Sequence, residues 1–281
     1  MKHRSTPISW LAISLLMAGL WFGPSPIQAQ SDEEIQKIYM DSVKHLPSFT
    51  IYGDNYLITG TTLGETPTAD NSDAKLQFGF KQRLTDHKLP GQTYLFFTYR
   101  QLSIWNIYKK SYPFEDHNFN PSLGLGRLLF HNGSLHGGLW LALEHQSNGL
   151  GGDDSRGWNF VSLRYVTKVR QDLSASLKAW VPFGKLEGNP DLLDYTSYFE
   201  LGFNYSKSPK WIFQSEMRKS FTKDWKGKLQ LSISYRITKK ADQFIYLQYY
   251  NGYAESLLNY KQHINMLRVG FAIKDLSTIM K

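Results

Sequence analysis

Residues 139–165 read Leu139-Trp-Leu-Ala-Leu-Glu-His145-Gln-Ser147-Asn-Gly-Leu-Gly-Gly-Asp-Asp-Ser-Arg-Gly-Trp-Asn159-Phe-Val-Ser-Leu-Arg-Tyr165, two alternating segments around a Gly/Asp/Ser-rich turn. Along a β-strand successive side chains point to opposite faces. His145 and Ser147 therefore share a face with Leu139, Leu141 and Leu143, and Asn159 shares one with Val161, Leu163 and Tyr165. Ser162, Arg164 and Lys168 fall on the other side of the second segment. A hydroxyl, an imidazole and an amide are thus expected on an apolar face.

The same period of two runs through the chain after Pro47. It predicts twelve strands, at 55–62, 74–84, 92–105, 122–130, 135–147, 159–169, 173–183, 197–206, 211–221, 226–237, 243–253 and 264–274. The alternation is cleanest in the tenth, where Leu229, Leu231, Ile233, Tyr235 and Ile237 interleave with Gln230, Ser232, Ser234 and Arg236. In the last, Leu267, Val269, Phe271 and Ile273 oppose Arg268 and Lys274. A soluble sandwich would turn the apolar face inward and a barrel in lipid would turn it outward, and periodicity alone does not separate the two. An even strand number, and aromatic residues near strand ends such as Trp105, Tyr108, Trp158, Trp211 and Trp225, favour the membrane barrel.

The N-terminus supports an exported chain. Lys2, His3 and Arg4 precede an apolar run from Ile8 to Phe22, followed by Pro24, Pro26 and Ala29, the pattern of a cleaved secretory leader at 1–29. The run is shorter than the roughly 20 residues a membrane-spanning helix needs. Residues 30–281 then form one domain, since no linker or longer repeat divides them. Within it, Ser31 and Glu34 have capping-box spacing, and Ile35, Ile38, Tyr39, Val43 and Leu46 follow at helical intervals. This predicts a short periplasmic segment ahead of the barrel. The formal net charge of +8 is modest and partly supplied by Lys2 and Arg4, so a nucleic-acid partner is not expected. The absence of cysteine excludes thiol catalysis and a disulfide-stapled fold.

A serine hydroxyl needs a base within reach and a third group to hold that base in the right tautomer. His145, Ser147 and Asn159 are candidates for these roles: residues at i and i+2 of a strand lie roughly 6 to 7 Å apart, and Asn159 returns on the next strand. Gly149, directly after Asn148, is a candidate N–H donor to an oxyanion, or an ordinary turn glycine. The 150–156 loop carries carbonyls, the Ser155 hydroxyl and the Asp153 and Asp154 carboxylates, hard oxygen donors of the kind calcium prefers. The bland alternatives stay open on these grounds: polar residues capping strands at a membrane interface, and a loop acidic for solubility. A reactive hydroxyl facing lipid would suit a hydrolase whose substrate is the surrounding membrane.

The segments H-x-S-N-G (145–149) and S-R-x-W-N (155–159), with their spacing, resemble the outer-membrane phospholipase A family of Gram-negative bacteria. Similarity extends to S-x-P-F at 111–114, N-x-x-P at 118–121 and G-Y-x-E-S-L at 252–257, and covers most of the chain beyond the leader. The resemblance implies an all-β, twelve-stranded antiparallel transmembrane barrel of the bacterial outer membrane. It also implies a calcium-dependent phospholipase A1/A2 and lysophospholipase, active as a homodimer on membrane phospholipids. By that resemblance Ser147 is the nucleophile, His145 the base, Asn159 the orienting group and Gly149 the oxyanion donor. Calcium would be held by the Ser155 side chain, the Leu150 carbonyl and the Ser111 carbonyl of a second subunit. Leu150 stands where the family usually has arginine, and Asp153 and Asp154 do not align cleanly with the family's acidic loop residue, which leaves them as secondary ligands only. Gln101 and Trp105 resemble subunit-interface positions. The end of the chain, Ser277 to Lys281, departs from the aromatic ending common in such barrels. The competing readings are a non-enzymatic outer-membrane pore or adhesin, which would have an open lumen and long loops, and a lipopolysaccharide deacylase.

Overall fold

A computed structural model describes residues 34, 47–132, 134–186, 188–238 and 242–274. The expected leader, the 31–46 segment apart from Glu34, and the run Ser277–Lys281 lie outside the described residues. The strands are β1 (Phe49–Ile51), β2 (Asn55–Thr62), β3 (Ser72–Arg83), β4 (Tyr94–Trp105), β5 (Phe114–His131), β6 (Ser134–Ser147), β7 (Gly157–Arg170), β8 (Leu173–Phe183), β9 (Phe199–Ser208), β10 (Trp211–Lys219), β11 (Gly227–Arg236), β12 (Gln243–Gly252) and β13 (Ile264–Ile273). Each of β2 to β13 pairs antiparallel with its neighbours in sequence, and β13 returns to pair with β2, closing a twelve-stranded barrel. Closure leaves no unpaired edge among the twelve, which is what lipid requires of a sheet.

Two features differ from the expected strands. The short β1 continues the line of β2 on the β3 surface below a break at 52–54, where Gly53 has φ +69°. The backbone of Tyr52 approaches so closely there that a Cβ on Gly79 would lie 2.4 Å from the Tyr52 carbonyl oxygen. β5 begins at Phe114 rather than Ser122. Its inward positions are polar (Asp116, Asn118, Asn120) and its outward ones include His117 and Pro121, so no contrast between faces marked it as strand.

The distribution of polarity is inverted relative to a soluble sandwich. Leu143 is 55% exposed and Phe271 66%, whereas Arg268 and Lys75 are 2% exposed. Several of the enclosed charges are paired, as burial favours. Arg268 donates from Nε and Nη2 to Asp73 at 2.6 and 2.7 Å and from Nη1 to Glu255 at 2.8 Å, and Lys75 reaches Glu255 and Gln248 at 2.8 Å. On the neighbouring wall Lys178 pairs with Glu144 at 2.6 Å, and Lys228 lies between Glu200 and Glu216. A cavity of about 280 Å³ remains among these groups.

The two ends of the barrel differ in their connections. Two-residue turns join β7 to β8 and β9 to β10, while the opposite end carries the 148–156, 184–198 and 253–263 connections. Short turns on the periplasmic side and longer loops outside are the rule for such barrels. The 253–263 loop folds into the mouth. Asn118 Oδ1 accepts from the Leu257 N–H and Asp116 Oδ2 from the Leu258 N–H, both at 2.9 Å. Leu257 and Tyr260 join Trp158, Phe160, Trp180 and Leu192 in an apolar cluster. Trp158, expected among the strand-end aromatics, thus faces inward and is 4% exposed. Burial alone would raise the Glu255 carboxyl in this loop; Arg268 and Lys75 outweigh it and hold the group below the usual carboxylate range. That contribution to stability is present at neutral pH and is lost as pH falls through the depressed value. A mouth packed in this way is not the open lumen of a pore.

Candidate active site

β6 and β7 pair in a register that sets His145 opposite Asn159 and Ser147 opposite Gly157. The alternation dictated by the strands puts all three expected catalytic side chains on the lipid-facing surface at the external end. His145 Nδ1 and Asn159 Oδ1 are 2.9 Å apart. An amide oxygen can only accept, so Nδ1 carries the proton and Nε2 is left with a lone pair. Ser147 Oγ has no hydrogen-bond partner among the described residues, and catalytic contacts are often loose before substrate arrives. Around the group the wall is apolar. Phe119 on β5 lies opposite Ser147 and Phe183 on β8 lies opposite Asn159, and Leu143, Val161 and Phe183 are 55%, 37% and 47% exposed.

Gly157 keeps the space beside the serine open, because a Cβ there would lie 3.4 Å from Ser147 Cβ and 3.9 Å from His145 Cε1. From the inner side, Asn120 Nδ2 donates to the His145 carbonyl at 2.9 Å, and Asn189 Oδ1 accepts from the Gly157 N–H at 3.0 Å. Gly188 has φ +73°, and a Cβ there would meet the Ser155 carbonyl at 1.9 Å, so the 184–198 connection packs backbone to backbone against the 150–156 loop. None of Asn120, Asn189, Gly157 and Gly188 stood out in the sequence as supporting the site. Gly157 and Asn120 lie inside the quoted S-R-x-W-N and N-x-x-P segments, each at an unspecified position, and Gly188 and Asn189 lie in none.

The turn after the serine places Gly149 at φ +71°, a conformation that favours glycine. Its N–H is engaged by no group among the described residues. In the following loop the oxygens divide into two sets. The Asp153 and Ser155 carbonyls accept from Arg156 Nη1 at 2.6 and 2.9 Å, and the Asp154 carbonyl accepts from Asn148 Nδ2 at 2.8 Å. The Leu150 carbonyl and the Ser155 hydroxyl have no partner among the described residues. Neither does the Ser111 carbonyl, at a turn where Ser111 and Tyr112 have φ +67° and +49°. The three oxygens that the resemblance assigns to calcium are therefore uncommitted among the described residues, as are the Gly149 carbonyl and the Asp153 and Asp154 carboxylates, while the carbonyls of Gly152 to Arg156 are taken. No cluster of three or more His, Asp or Glu side chains able to hold a metal occurs among the described residues. A cation here would rest on carbonyl and hydroxyl oxygens, which suits calcium.

Gln101 and Trp105 lie on β4, remote in sequence from β6 and β7, and are tied into local contacts. Tyr99 OH donates to Gln101 Oε1 at 2.9 Å, Gln101 Nε2 donates to Ser103 Oγ at 3.2 Å, and Ser103 Oγ contacts His117 Nδ1 at 2.8 Å. Trp105 Nε1 donates to the Tyr112 carbonyl at 2.8 Å, linking β4 to the turn that carries Ser111.

Comparison with known proteins places this arrangement. The sequence profile of a family described as phospholipase A1 matches residues 28–273. The chain belongs to the phospholipase A1 family. It is 28% identical to phospholipase A1 of Escherichia coli (strain K12) over 249 residues, covering 83% of this chain and 84% of that one. Among solved structures it resembles the Salmonella typhi outer membrane phospholipase dimer with bound calcium, with a TM-score of 0.73, 25% identity, and coverage of 84% of this chain and 98% of that one. The outer membrane phospholipase A of Escherichia coli gives a TM-score of 0.72 at 26% identity, over 82% of this chain and all of the other. This phospholipase A1 family member is a phospholipid-hydrolysing enzyme of the outer membrane, built as a twelve-stranded barrel.

Proposed function

We propose that the chain is a calcium-dependent serine hydrolase that cleaves acyl esters of glycerophospholipids at either position, and lysophospholipids as well. The observation that carries this reading is the 2.9 Å His145–Asn159 hydrogen bond beside Ser147 on a lipid-facing wall. A phospholipid in the outer leaflet would lay its acyl chain along Phe119, Leu143 and Val161 and present its ester at the level of Ser147. Nε2 of His145 takes the proton from Ser147 Oγ as that oxygen bonds to the ester carbonyl carbon. Asn159 holds the ring in the tautomer this transfer needs and adds no charge. The Gly149 N–H faces the developing oxyanion. The protonated imidazole then gives its proton to the departing glycerol oxygen, leaving an acyl group on Ser147. Water, deprotonated by Nε2, releases the fatty acid and restores the hydroxyl.

Calcium, when bound, supplies positive charge close to the oxyanion. It would be held by Ser155 Oγ, the Leu150 carbonyl and the Ser111 carbonyl of a second copy, with Asp153 and Asp154 as outer carboxylates. The related Salmonella typhi structure is a dimer with bound calcium. Here the dimer would form along the outward face of β4, with Gln101 and Trp105 within it. Leu150 offers no cation to a lipid phosphate, so headgroup charge would enter recognition less at this position than in relatives with arginine. In this reading residues 1–29 direct export and 30–281 form the enzyme.

The test is fatty-acid release from defined phospholipids, lysophospholipids and lipopolysaccharide, with and without calcium. Calcium-dependent release from the first two supports the proposal. Release from lipopolysaccharide alone would replace it with the deacylase, and release that ignores calcium would remove the metal from it.

A further inference from the structure

Asn148 follows the nucleophile, faces inward and is 3% exposed. Its side chain makes three hydrogen bonds to the loop that follows. Oδ1 accepts from the Arg156 N–H at 2.9 Å and from the Leu150 N–H at 3.3 Å, and Nδ2 donates to the Asp154 carbonyl at 2.8 Å. Its own backbone N–H donates to the Arg156 carbonyl at 3.0 Å. A single amide thus ties the start, middle and end of the 150–156 loop to the end of β6. Few side chains can do this, because the position needs an acceptor for two N–H groups and a donor for one carbonyl.

The pattern of engaged and free groups has a direct consequence for chemistry. The Leu150 and Arg156 N–H groups are consumed by Oδ1, so the N–H left open beside Ser147 is that of Gly149. The Asp154 carbonyl is consumed by Nδ2 and those of Asp153 and Ser155 by Arg156, so the oxygens left open include the Leu150 carbonyl and the Ser155 hydroxyl, with the Gly149 carbonyl and the Asp153 and Asp154 carboxylates beside them. We propose that Asn148 is a positioning residue which, from inside the barrel wall, sets both the Gly149 oxyanion donor and the two same-chain calcium oxygens. It touches neither substrate nor metal. This rests on the hydrolase reading above and adds one residue through which nucleophile, oxyanion donor and metal loop are geometrically coupled.

The role makes a prediction that separates it from general support of the fold. Asn148→Ala should weaken calcium binding about tenfold, measured by calorimetry in detergent on a Ser147→Ala background so that turnover plays no part. With Ser147 restored and calcium saturating, kcat should remain about tenfold down with KM for phospholipid unchanged, because metal excess refills the loop oxygens but does not re-aim the Gly149 N–H. Ser155→Ala, by contrast, should recover kcat when calcium is raised. If Asn148→Ala fails to give the folded band in a heat-modifiability gel, the isosteric Asn148→Asp carries the test. It keeps the two accepted bonds and loses the donated one. It should lower kcat at saturating calcium by a smaller factor. Wild-type kcat and wild-type calcium affinity in the folded alanine variant would overturn the role, as would wild-type kcat in the aspartate variant if alanine does not fold. A defect that shows only in KM would overturn it too. Should the wild-type protein itself neither bind calcium nor release fatty acid, the hydrolase reading falls instead, and the two failures are distinguishable.

Discussion

The β6–β7 hairpin has two faces with opposite duties. Outward stand His145, Ser147 and Asn159 among Leu141, Leu143 and Val161, with few contacts beyond their strand neighbours. Inward, one residue away in each case, stand Glu144, paired with Lys178 and accepting from the Ser162 hydroxyl, and Trp158 and Phe160, packed under the 253–263 loop. On the proposed reading the outward groups react, and since their removal leaves no cavity and no unpaired charge they can be exchanged without disturbing the barrel, whereas Glu144, Trp158 and Phe160 behind them carry stability, and Asn148 just past the end of β6 is the inward residue proposed to serve the chemistry. The site therefore costs little stability on one face because the other face is held by the Glu144–Lys178 pair and the apolar cluster under the 253–263 loop.

The largest way to sharpen this contrast is Ser147→Ala. Turnover should fall by at least about 10³-fold, roughly 4 kcal/mol of transition-state stabilisation, with the heat-modifiable gel shift unchanged. Residual activity above a few per cent would remove Ser147 as nucleophile. The opposite face should answer in the other observable. Glu144→Gln leaves Lys178 enclosed without a carboxylate and should cost about 3 kcal/mol in denaturant unfolding of the folded barrel, with a much smaller change in kcat. Equal losses of kcat from Glu144→Gln and Ser147→Ala would break the division of faces.

Asn159→Ala should lower kcat by about 10²-fold or less, because an amide aligns the imidazole without stabilising its charge, unlike the buried aspartate of serine proteases whose loss costs about 10⁴-fold. A loss as deep as that of His145→Ala would give Asn159 a larger part. The smallest effect is expected for Ser155→Ala. Losing one hard oxygen should raise the calcium midpoint for activity by about tenfold, close to 1.4 kcal/mol, and leave the plateau in place. If the second copy's Ser111 completes the site, the calcium midpoint for dimerisation, read by sedimentation in detergent, should rise with it, since metal and partner favour each other by linkage. A dimerisation midpoint that stays fixed would separate metal binding from assembly.

Most of the barrel was legible because a wall between lipid and a polar interior imposes period two on every strand. β11 shows it at its clearest, with Leu229, Leu231 and Ile233 on one face and Gln230, Ser232 and Ser234 on the other. The start of β5 was not legible, since Asp116 and Asn118 face the mouth-closing loop while His117 and Pro121 face outward, and both faces read as polar or irregular. Trp158 was misread for a related reason. Aromatic side chains serve both interfacial girdles and inner packing, and only parity with Asn159 separates the two uses.

By itself the sequence determined the strand count to within the short β1, the parity that puts His145, Ser147 and Asn159 on one face, and the family, because these depend on local alternation and on motif spacing. Periodicity alone left open which side of the sheet faces outward, since alternation is the same inside out; the strand-end aromatics, the even strand number and the family resemblance favoured the apolar face outward. Closure of β13 on β2, the folding of the 253–263 loop into the mouth, and the hydrogen bonds of Asn148, Asn120 and Asn189 were decided only by the tertiary structure. Each joins residues whose proximity depends on barrel closure, the shear between strands or the path of a loop, and none of these leaves a periodic mark in the chain.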